Sequence, residues 1–151
     1  MSNLLIIYHS QGDKTSRMAQ AVYAGAKQES AVTVVLKRAF DAGLDDLLWA
    51  NGLIFGTPEN FGYMSGALKD FFDRTFYPAE DYQLNLPYGI FVSAGNDGSG
   101  AVREIDRIAL GYPLRKIAEP IIIRGEPCSD DLEKCSELGL SIAAGMAMGI
   151  F

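Results

Sequence analysis

The sequence has very few residues that bind metals or form disulfide bonds. It contains two cysteines, Cys128 and Cys135, and a single histidine, His9. The cysteines have neither the spacing of a metal knuckle nor a second pair to complete a zinc site, so we expect two reduced, packed thiols. One histidine excludes a metal site built on several histidines and a mechanism that needs more than one. We therefore expect no metal site.

Positive charge is also scarce. Thirteen lysine and arginine residues stand against nineteen aspartate and glutamate residues, which gives a formal net charge of −6. Non-specific binding to nucleic acid or to an anionic membrane requires a positive face, so this charge balance argues against both. We expect an acidic soluble protein.

Long apolar runs are absent as well. The longest, 138–151, is interrupted by glycine and serine and is shorter than the ~20 residues of a membrane-spanning helix. The N-terminus lacks the pattern of a secretory signal, which predicts a cytoplasmic location. With 151 residues the chain has the length of one ordinary domain, so we expect a single domain over 1–151.

Five short apolar runs predict five β-strands. They are near-continuous and rich in β-forming residues, and they cover Leu4–Tyr8, Val32–Leu36, Gly52–Phe55, Gly89–Ser93 and Pro120–Ile123. Continuous apolar strands are typical of a sheet that is covered on both faces, and such sheets are usually parallel. Apolar residues at helical spacing separate the strands, with 44–50 the least clear helix. We therefore expect an α/β protein, a three-layer α/β/α sandwich with a five-stranded parallel sheet.

In such a fold ligands bind beyond the carboxyl ends of the strands, which directs attention to three loops. The first loop, His9–Ser16, combines the hydroxyls of Ser10 and Thr15 with Gly12, which allows close approach of the backbone. It leads into a helix, whose N-terminus favours an anion, so the loop resembles a cradle for a phosphate. Taken alone, it also fits an ordinary strand-to-helix turn.

The second and third loops suit a flat ring. Residues 56–66 offer backbone groups, amide and hydroxyl side chains, and the aromatic residues Phe61 and Tyr63, a mixture that binds the edge and covers the face of a heteroaromatic ring. Residues 93–100 contain three glycines and no bulky residue, so their backbone can lie along a ring edge. The alternatives are aromatics that only pin the second loop to the sheet, and a third loop that is a flexible surface turn.

Together the three loops resemble those of the flavodoxin-like superfamily. The stretch 57–69, Thr-Pro-Glu-Asn-Phe-Gly-Tyr-Met-Ser-Gly-Ala-Leu-Lys, is similar to the flavin loop of NAD(P)H-dependent FMN reductases and of quinone-reducing flavodoxin-like enzymes. The resemblance covers the whole chain in layout and implies FMN as cofactor. The phosphate of FMN would be surrounded by Ser10, Gln11, Gly12, Lys14 and Thr15. The isoalloxazine ring would be lined by Thr57, Pro58, Glu59, Asn60, Phe61 and Gly62, and bordered on its other side by Ser93, Ala94, Gly95, Asn96 and Gly100.

The first loop departs from the flavodoxin pattern. Flavodoxins place a second hydroxyl where this chain has Gly12, and a glycine where it has Asp13. An acidic side chain near a phosphate is unfavourable unless it points away. The geometry of the loop is therefore the least regular part of the predicted site.

The resemblance implies an oxidoreductase that passes electrons from NAD(P)H through FMN to a quinone or another small acceptor. The flavin performs this chemistry, so no catalytic side chain is required. The alternative is a flavodoxin-type electron carrier to a protein partner, although carriers usually have stronger negative charge. A non-catalytic module that binds another ligand also stays open. The segment 71–82 has more aromatic residues than one amphipathic helix needs, namely Phe71, Phe72, Phe76, Tyr77 and Tyr82. We expect most of them to lie in the core beneath the helix. The alternatives for the others are a homo-oligomer surface or a wall beside the ring.

Overall fold

The structure, a computed structural model, describes residues 1–151 and alternates strands with helices. The strands are β1 (Ser2–Tyr8), β2 (Val32–Arg38), β3 (Gly52–Pro58), β4 (Leu86–Ala94), β5 (Leu114–Lys116) and β6 (Ile121–Arg124). The helices are α1 (Lys14–Ala26), α2 (Leu44–Trp49), α3 (Gly66–Glu80), α4 (Ser99–Ala109) and α5 (Ser129–Ala147), with a short 3₁₀ turn at Ala39–Asp41. None of the helices combines the length and the apolar character needed to span a bilayer.

The sheet is entirely parallel, with the strand order β2, β1, β3, β4 and a divided edge. β5 pairs with the beginning of β4 and β6 pairs with its end, so the two short strands share the fifth position. The predicted five-stranded parallel sheet is confirmed, with one additional strand. The sequence pattern missed β5 because two of its three residues, Arg115 and Lys116, are charged and exposed.

Both faces of the sheet are covered, which explains the continuous apolar strands. Along β1, Leu4 and Ile6 pack into the core beneath α1 and α5, whereas Leu5 and Ile7 pack into the core beneath α2, α3 and α4. All four side chains are fully buried. Each contributes about 1.5–3 kcal/mol relative to an exposed position, so polar residues are excluded from either side of the strand.

The order of strands reverses between β1 and β3. The chain runs from β1 outward to β2 and then returns past β1 to β3 and β4. Since all strands are parallel, the loops after β1, β3 and β4 open at one end of the sheet, around the crevice where ligands bind in such folds. The strands extend further than predicted, because Thr57 and Pro58 of β3 still pair with Val92 and Ser93 of β4.

Two predictions about buried residues need correction. Cys135 is fully buried, and burial raises the pKa of its thiol to about 12, but Cys128 is exposed rather than packed. In the aromatic segment, Phe71 and Phe72 lie in the core as predicted, whereas Tyr77 is 78% exposed. The aromatic surplus is therefore divided between the core and a surface.

Candidate functional site

The loop between β1 and α1 forms one wall of a polar cavity of about 260 Å³. No hydrophobic side chain lines it, and its opposite wall comes from the ends of β3 and β4. All five residues predicted to surround a phosphate are brought together here, joined by Asp13. The lining consists of Ser10, Gln11, Gly12, Asp13, Lys14, Thr15, Pro58 and Ser93.

The backbone of this loop presents unpaired donors. None of the amides from Gln11 to Thr15 donates to an acceptor in the protein. Asp13, the residue before α1, makes no side-chain cap, and the first backbone bond of the helix is from Arg17 N to Asp13 O at 2.8 Å. Ser10 Oγ accepts from Ser16 N at 3.1 Å and donates to Gly12 O at 2.7 Å, which holds the loop in its curved form. Free amides at a helix N-terminus make an anion site.

Two nearly buried hydroxyls open into the same cavity. Thr15 is 2% exposed and Ser93 is 8% exposed, and neither hydroxyl has a hydrogen-bond partner in the protein. Since no fully enclosed polar side-chain atom of the protein lacks a partner, both oxygens reach the cavity. Leaving a polar group in this position costs free energy unless water or a ligand pairs with it.

The charges around the cavity are partly balanced. Glu126, in the loop after β6, lies 3.9 Å from Lys14 Nζ and 3.1 Å from Arg17 Nη1. The distance to Lys14 is long for an ion pair, and the lysine side chain is 46% exposed, so its ammonium group is free to turn towards an anion. Asp13 is exposed and its carboxylate is bound to no group in the protein. Solvent thus screens the one carboxylate that lines the cavity.

The loop after β3 contains a tight turn that exposes an aromatic ring. Asn60 N donates to Tyr63 O at 2.8 Å and Tyr63 N donates to Asn60 O at 3.0 Å, and the two residues between them, Phe61 and Gly62, have φ angles of 53° and 71°. Phe61 is fully exposed, whereas Tyr63 packs against the core. A left-handed backbone at a bulky residue costs about 1–2 kcal/mol. Tyr63 therefore pins the loop to the core. This role does not explain why an exposed, strained position carries the aromatic residue Phe61.

Thr57 and Glu59 hold this loop against the sheet. Thr57 is fully buried, and its hydroxyl accepts from Ser65 N at 2.9 Å and donates to Pro58 O at 2.8 Å. Glu59 N donates to Ser93 O at 2.8 Å, which continues the pairing of β3 with β4. The Thr57 hydroxyl is thus engaged inside the protein and supports the loop.

The loop after β4 is fixed by contacts at both ends. Arg124 Nε, at the end of β6, donates to Asn96 O at 2.9 Å. Asp97 Oδ1 accepts from both N and Oγ of Ser99 at 2.9 Å, and these hydrogen bonds lower the pKa of Asp97. A Cβ on Gly100 would collide with the carbonyl oxygen of Gly62, so this loop touches the one after β3. The alternative of a free surface turn does not describe it.

Arg124 was not predicted at the site. It is 28 residues from Asn96 in sequence, and the only available signal was that it follows the fifth predicted strand, whose end lies beside that of the fourth. His9 lies with Arg38 and Phe40 at a second cavity of about 280 Å³, on the other side of Ser10 and Gly12. Its pKa is lowered, first by burial and then by the Arg38 charge. No group of three or more potential metal-binding side chains comes together in the structure.

Comparison with known proteins identifies the family. Residues 16–115 match the family model described as NADPH-dependent FMN reductase, which is more than half of the chain. The chain belongs to the NADPH-dependent FMN reductase family. Its cofactor is accordingly FMN and its electron donor NAD(P)H, as predicted.

Relatives of this FMN reductase family member have names of two kinds. A protein from Aquifex aeolicus named flavodoxin is 40% identical, over 98% of this chain and 89% of its own length. An NAD(P)H dehydrogenase (quinone) from Acidithiobacillus ferrooxidans is 32% identical, over 66% of this chain and 60% of its own length. The solved structure of an archaeal flavodoxin superposes with a TM-score of 0.81 at 23% identity, over 94% of this chain and 96% of that one. The flavodoxin-like fold is thereby confirmed.

The residues present fit FMN in this reductase. The cavity between the three loops offers free amides and two unpaired hydroxyls to a phosphate, and a Cβ placed on Gly12 would meet no protein atom. Beyond the cavity, Phe61 of the loop after β3 and Gly95 and Asn96 of the loop after β4 are exposed.

Proposed function

We propose that the chain, as a single domain over 1–151, uses FMN to pass electrons from NAD(P)H to a quinone or another small acceptor. The observation that carries the proposal is the polar cavity at the strand-order reversal, where unpaired amides at 11–15 converge with the unpaired hydroxyls of Thr15 and Ser93. Such a set of donors matches a phosphate.

Each part of the site has a separate role in this proposal. The amides of 11–15, the Thr15 hydroxyl and Lys14 hold the FMN phosphate, while Ser10 keeps the loop curved. Ser93 and Pro58 form the opposite wall. FMN supplies the ring that accepts hydride and returns electrons to an acceptor, so the protein needs to bind, orient and expose it.

The ring-side residues of the proposal divide between support and contact. Thr57 supports the loop after β3 by accepting from Ser65 N, and Gly100 allows the loop after β4 to touch Gly62. The groups that line the ring are Glu59, Asn60, Phe61 and Gly62 on one side, and Ala94, Gly95 and Asn96 on the other. Phe61 provides the single aromatic face, because residues 93–100 contain no aromatic side chain. A ring covered by one aromatic residue leaves room for a nicotinamide or a quinone.

The carrier function remains a second candidate because of the relative from Aquifex aeolicus, which is named flavodoxin and is 40% identical. The two functions differ in the route by which electrons reach the protein. A reductase takes them directly from NAD(P)H, whereas a carrier depends on another protein. The open ring site favours the reductase.

Steady-state oxidation of NADPH and NADH by the FMN-loaded protein, with a benzoquinone as acceptor, tests this proposal. The expected result is continuous NAD(P)H oxidation well above the rate with the same concentration of free FMN. If the protein retains FMN but oxidises neither dinucleotide, the reductase proposal fails and the carrier takes its place.

We also propose that the surface between α3 and α4 mediates self-association. A groove of about 530 Å³ there includes Phe76, Tyr77 and Ile108, next to the exposed Leu110. Exposed apolar side chains such as Tyr77 and Leu110 beside a groove are typical of protein interfaces. Sedimentation of the wild type and of Tyr77→Glu tests the proposal, which predicts a dimer or larger assembly that the variant weakens; a monomeric wild type would contradict it.

A further inference from the structure

Positive charge is concentrated along one edge of this acidic protein. Residues 103–124 contain five of the thirteen lysine and arginine side chains against three carboxylates, although the whole chain has a net charge of −6. These cations lie on α4, on β5 and at the end of β6, around the divided edge of the sheet. They are Arg103, Arg107, Arg115, Lys116 and Arg124.

The cations at the far end of this edge are already engaged. Lys116 Nζ lies 2.8 Å from Asp106 Oδ2, and Arg115 donates to the backbone and side chain of Asn85. Both belong to β5, which pairs with the beginning of β4, away from the carboxyl ends of the strands. They contribute to the structure of the edge.

Two arginines at the near end keep most of their hydrogen-bonding capacity. Arg124 uses only Nε, which donates to Asn96 O at 2.9 Å, so both terminal nitrogens of the guanidinium are unpaired. Arg103 makes no hydrogen bond; its nearest carboxylate oxygen, on Glu104, is 3.8 Å away, and its side chain is 69% exposed. These two guanidinium groups are therefore available to a ligand.

One arginine contacts the loop that borders the proposed ring site, and the other follows this loop closely in the chain. Arg124 contacts this loop directly, and Arg103 lies on the first turns of the helix that follows it. Asp97, on this loop, forms an ion pair with neither; its carboxylate accepts hydrogen bonds from Ser99 instead. The charges of both arginines help to lower the pKa of Asp97, which agrees with their position beside the loop.

We propose that Arg103 and Arg124 bind a phosphate group of the dinucleotide electron donor. This rests on the proposed function, because a nicotinamide that reaches the ring must lead its phosphates out across the rim of the site. An acidic protein repels such a polyanion unless cations are placed along its path. Arginine suits the role because its planar fork pairs with two phosphate oxygens.

The 2′-phosphate of NADPH and the diphosphate common to NADPH and NADH offer the same chemistry. Comparison of the two donors separates these sources. If the arginines bind the 2′-phosphate, their loss weakens NADPH and leaves NADH unaffected; if they bind the diphosphate, both donors are weakened. Either pattern supports the proposal.

The test uses the FMN-loaded variants Arg103→Gln and Arg124→Gln, with Arg115→Gln as the matched control on the same edge. We expect each site variant to raise KM for the donor by about tenfold, as for the loss of one charge-assisted contact. In Arg103→Gln, kcat and the dissociation constant of FMN should equal those of the wild type. In Arg115→Gln, the KM values and the dissociation constant of FMN should both equal those of the wild type. Arg103→Gln is the cleaner variant, because Arg103 has no hydrogen bond to lose.

Calorimetric titration with NADP⁺ and NAD⁺ provides a readout that does not depend on turnover. We expect Arg103→Gln to weaken one or both ligands by a similar factor. Unchanged KM values and unchanged binding in both site variants would overturn the proposal, as would the absence of any dinucleotide binding to the FMN-loaded wild type. A wild type that binds dinucleotide without oxidising it would refute the proposed function. Weaker dinucleotide binding by the site variants would then still support the arginine site.

Discussion

At the scale of single residues, Thr15 has a hydroxyl that the fold leaves free. Its hydroxyl lies in an almost fully buried position and has no partner within the protein. Thr75 is a matched contrast, because it is equally buried but its hydroxyl donates to Phe71 O at 2.8 Å and lies 2.8 Å from Tyr112 Oη. The same residue type thus has a free hydroxyl at one position and a hydrogen-bonded hydroxyl in the core at the other.

Substitution of both threonines separates these roles. Thr15→Val should weaken FMN binding by about 1–3 kcal/mol and leave the stability of the FMN-free protein unchanged. Thr75→Val should lower the stability of the protein, because it leaves the Tyr112 hydroxyl with one hydrogen-bond partner fewer. It should leave FMN binding unchanged, because Thr75 touches no part of the cavity. Fluorescence titration with FMN and thermal unfolding measure the two quantities. An unchanged FMN dissociation constant in Thr15→Val would remove Thr15 from the site.

Phe61 shows a similar conflict between stability and function. The two-residue turn at 61–62 has positive φ angles at both positions, a conformation that favours Asn-Gly over Phe-Gly. Phe61→Asn should therefore raise the free energy of unfolding by about 1 kcal/mol, while FMN affinity falls because the aromatic face is lost. Denaturant unfolding and FMN titration check the two directions. A variant with lower stability and undiminished FMN affinity would contradict this role.

At the scale of elements, α1 and α5 pack so closely that each needs a glycine. A Cβ on Gly139 of α5 would collide with the carbonyl oxygen of Val22, and one on Gly25 of α1 would collide with that of Ser136. Both glycines are buried. This contact fixes α1, and therefore the direction in which its N-terminus points at the cavity.

Alanine substitution should distinguish glycines of the scaffold from a glycine of the site. Gly139→Ala should lower the free energy of unfolding by about 1–3 kcal/mol or more, because the two helices must move apart. Gly12→Ala should leave it unchanged, since a Cβ there meets no protein atom, but should weaken FMN binding by placing a methyl group in the cavity. Denaturant unfolding and FMN titration measure both effects. Equal stability losses in the two variants would contradict this assignment.

The strands also show which parts of the fold could be predicted from the sequence. Apolar continuity predicted the five strand positions and the parallel sheet, because burial on both faces leaves a direct mark on composition. It missed β5, whose residues Arg115 and Lys116 are exposed, and it ended β3 before Thr57, because strand pairing by backbone hydrogen bonds leaves no such mark. The hydrogen bonds of the Thr57 hydroxyl with Ser65 N and Pro58 O likewise have no signature in the local sequence.

At the scale of the whole molecule, the site depends on groups that are distant in sequence. The phosphate loop could be predicted from residue types, because hydroxyls and glycine before a helix have a local meaning. The approach of Arg124 to the loop at 93–100 could not, since it requires knowing that β6 ends beside β4. The net charge of −6 did not indicate the basic edge at 103–124, because a sum over the whole chain does not show where the charges lie.

The central claim is that the three loops hold FMN where NAD(P)H can reduce it. Anaerobic titration of the FMN-loaded, desalted protein with NADPH, followed by flavin absorbance, tests this most directly. We predict that flavin stays with the protein through desalting and that NADPH bleaches its absorbance at one equivalent per bound flavin. Loss of flavin on desalting, or bound flavin that stays oxidised with both NADPH and NADH, would contradict the claim.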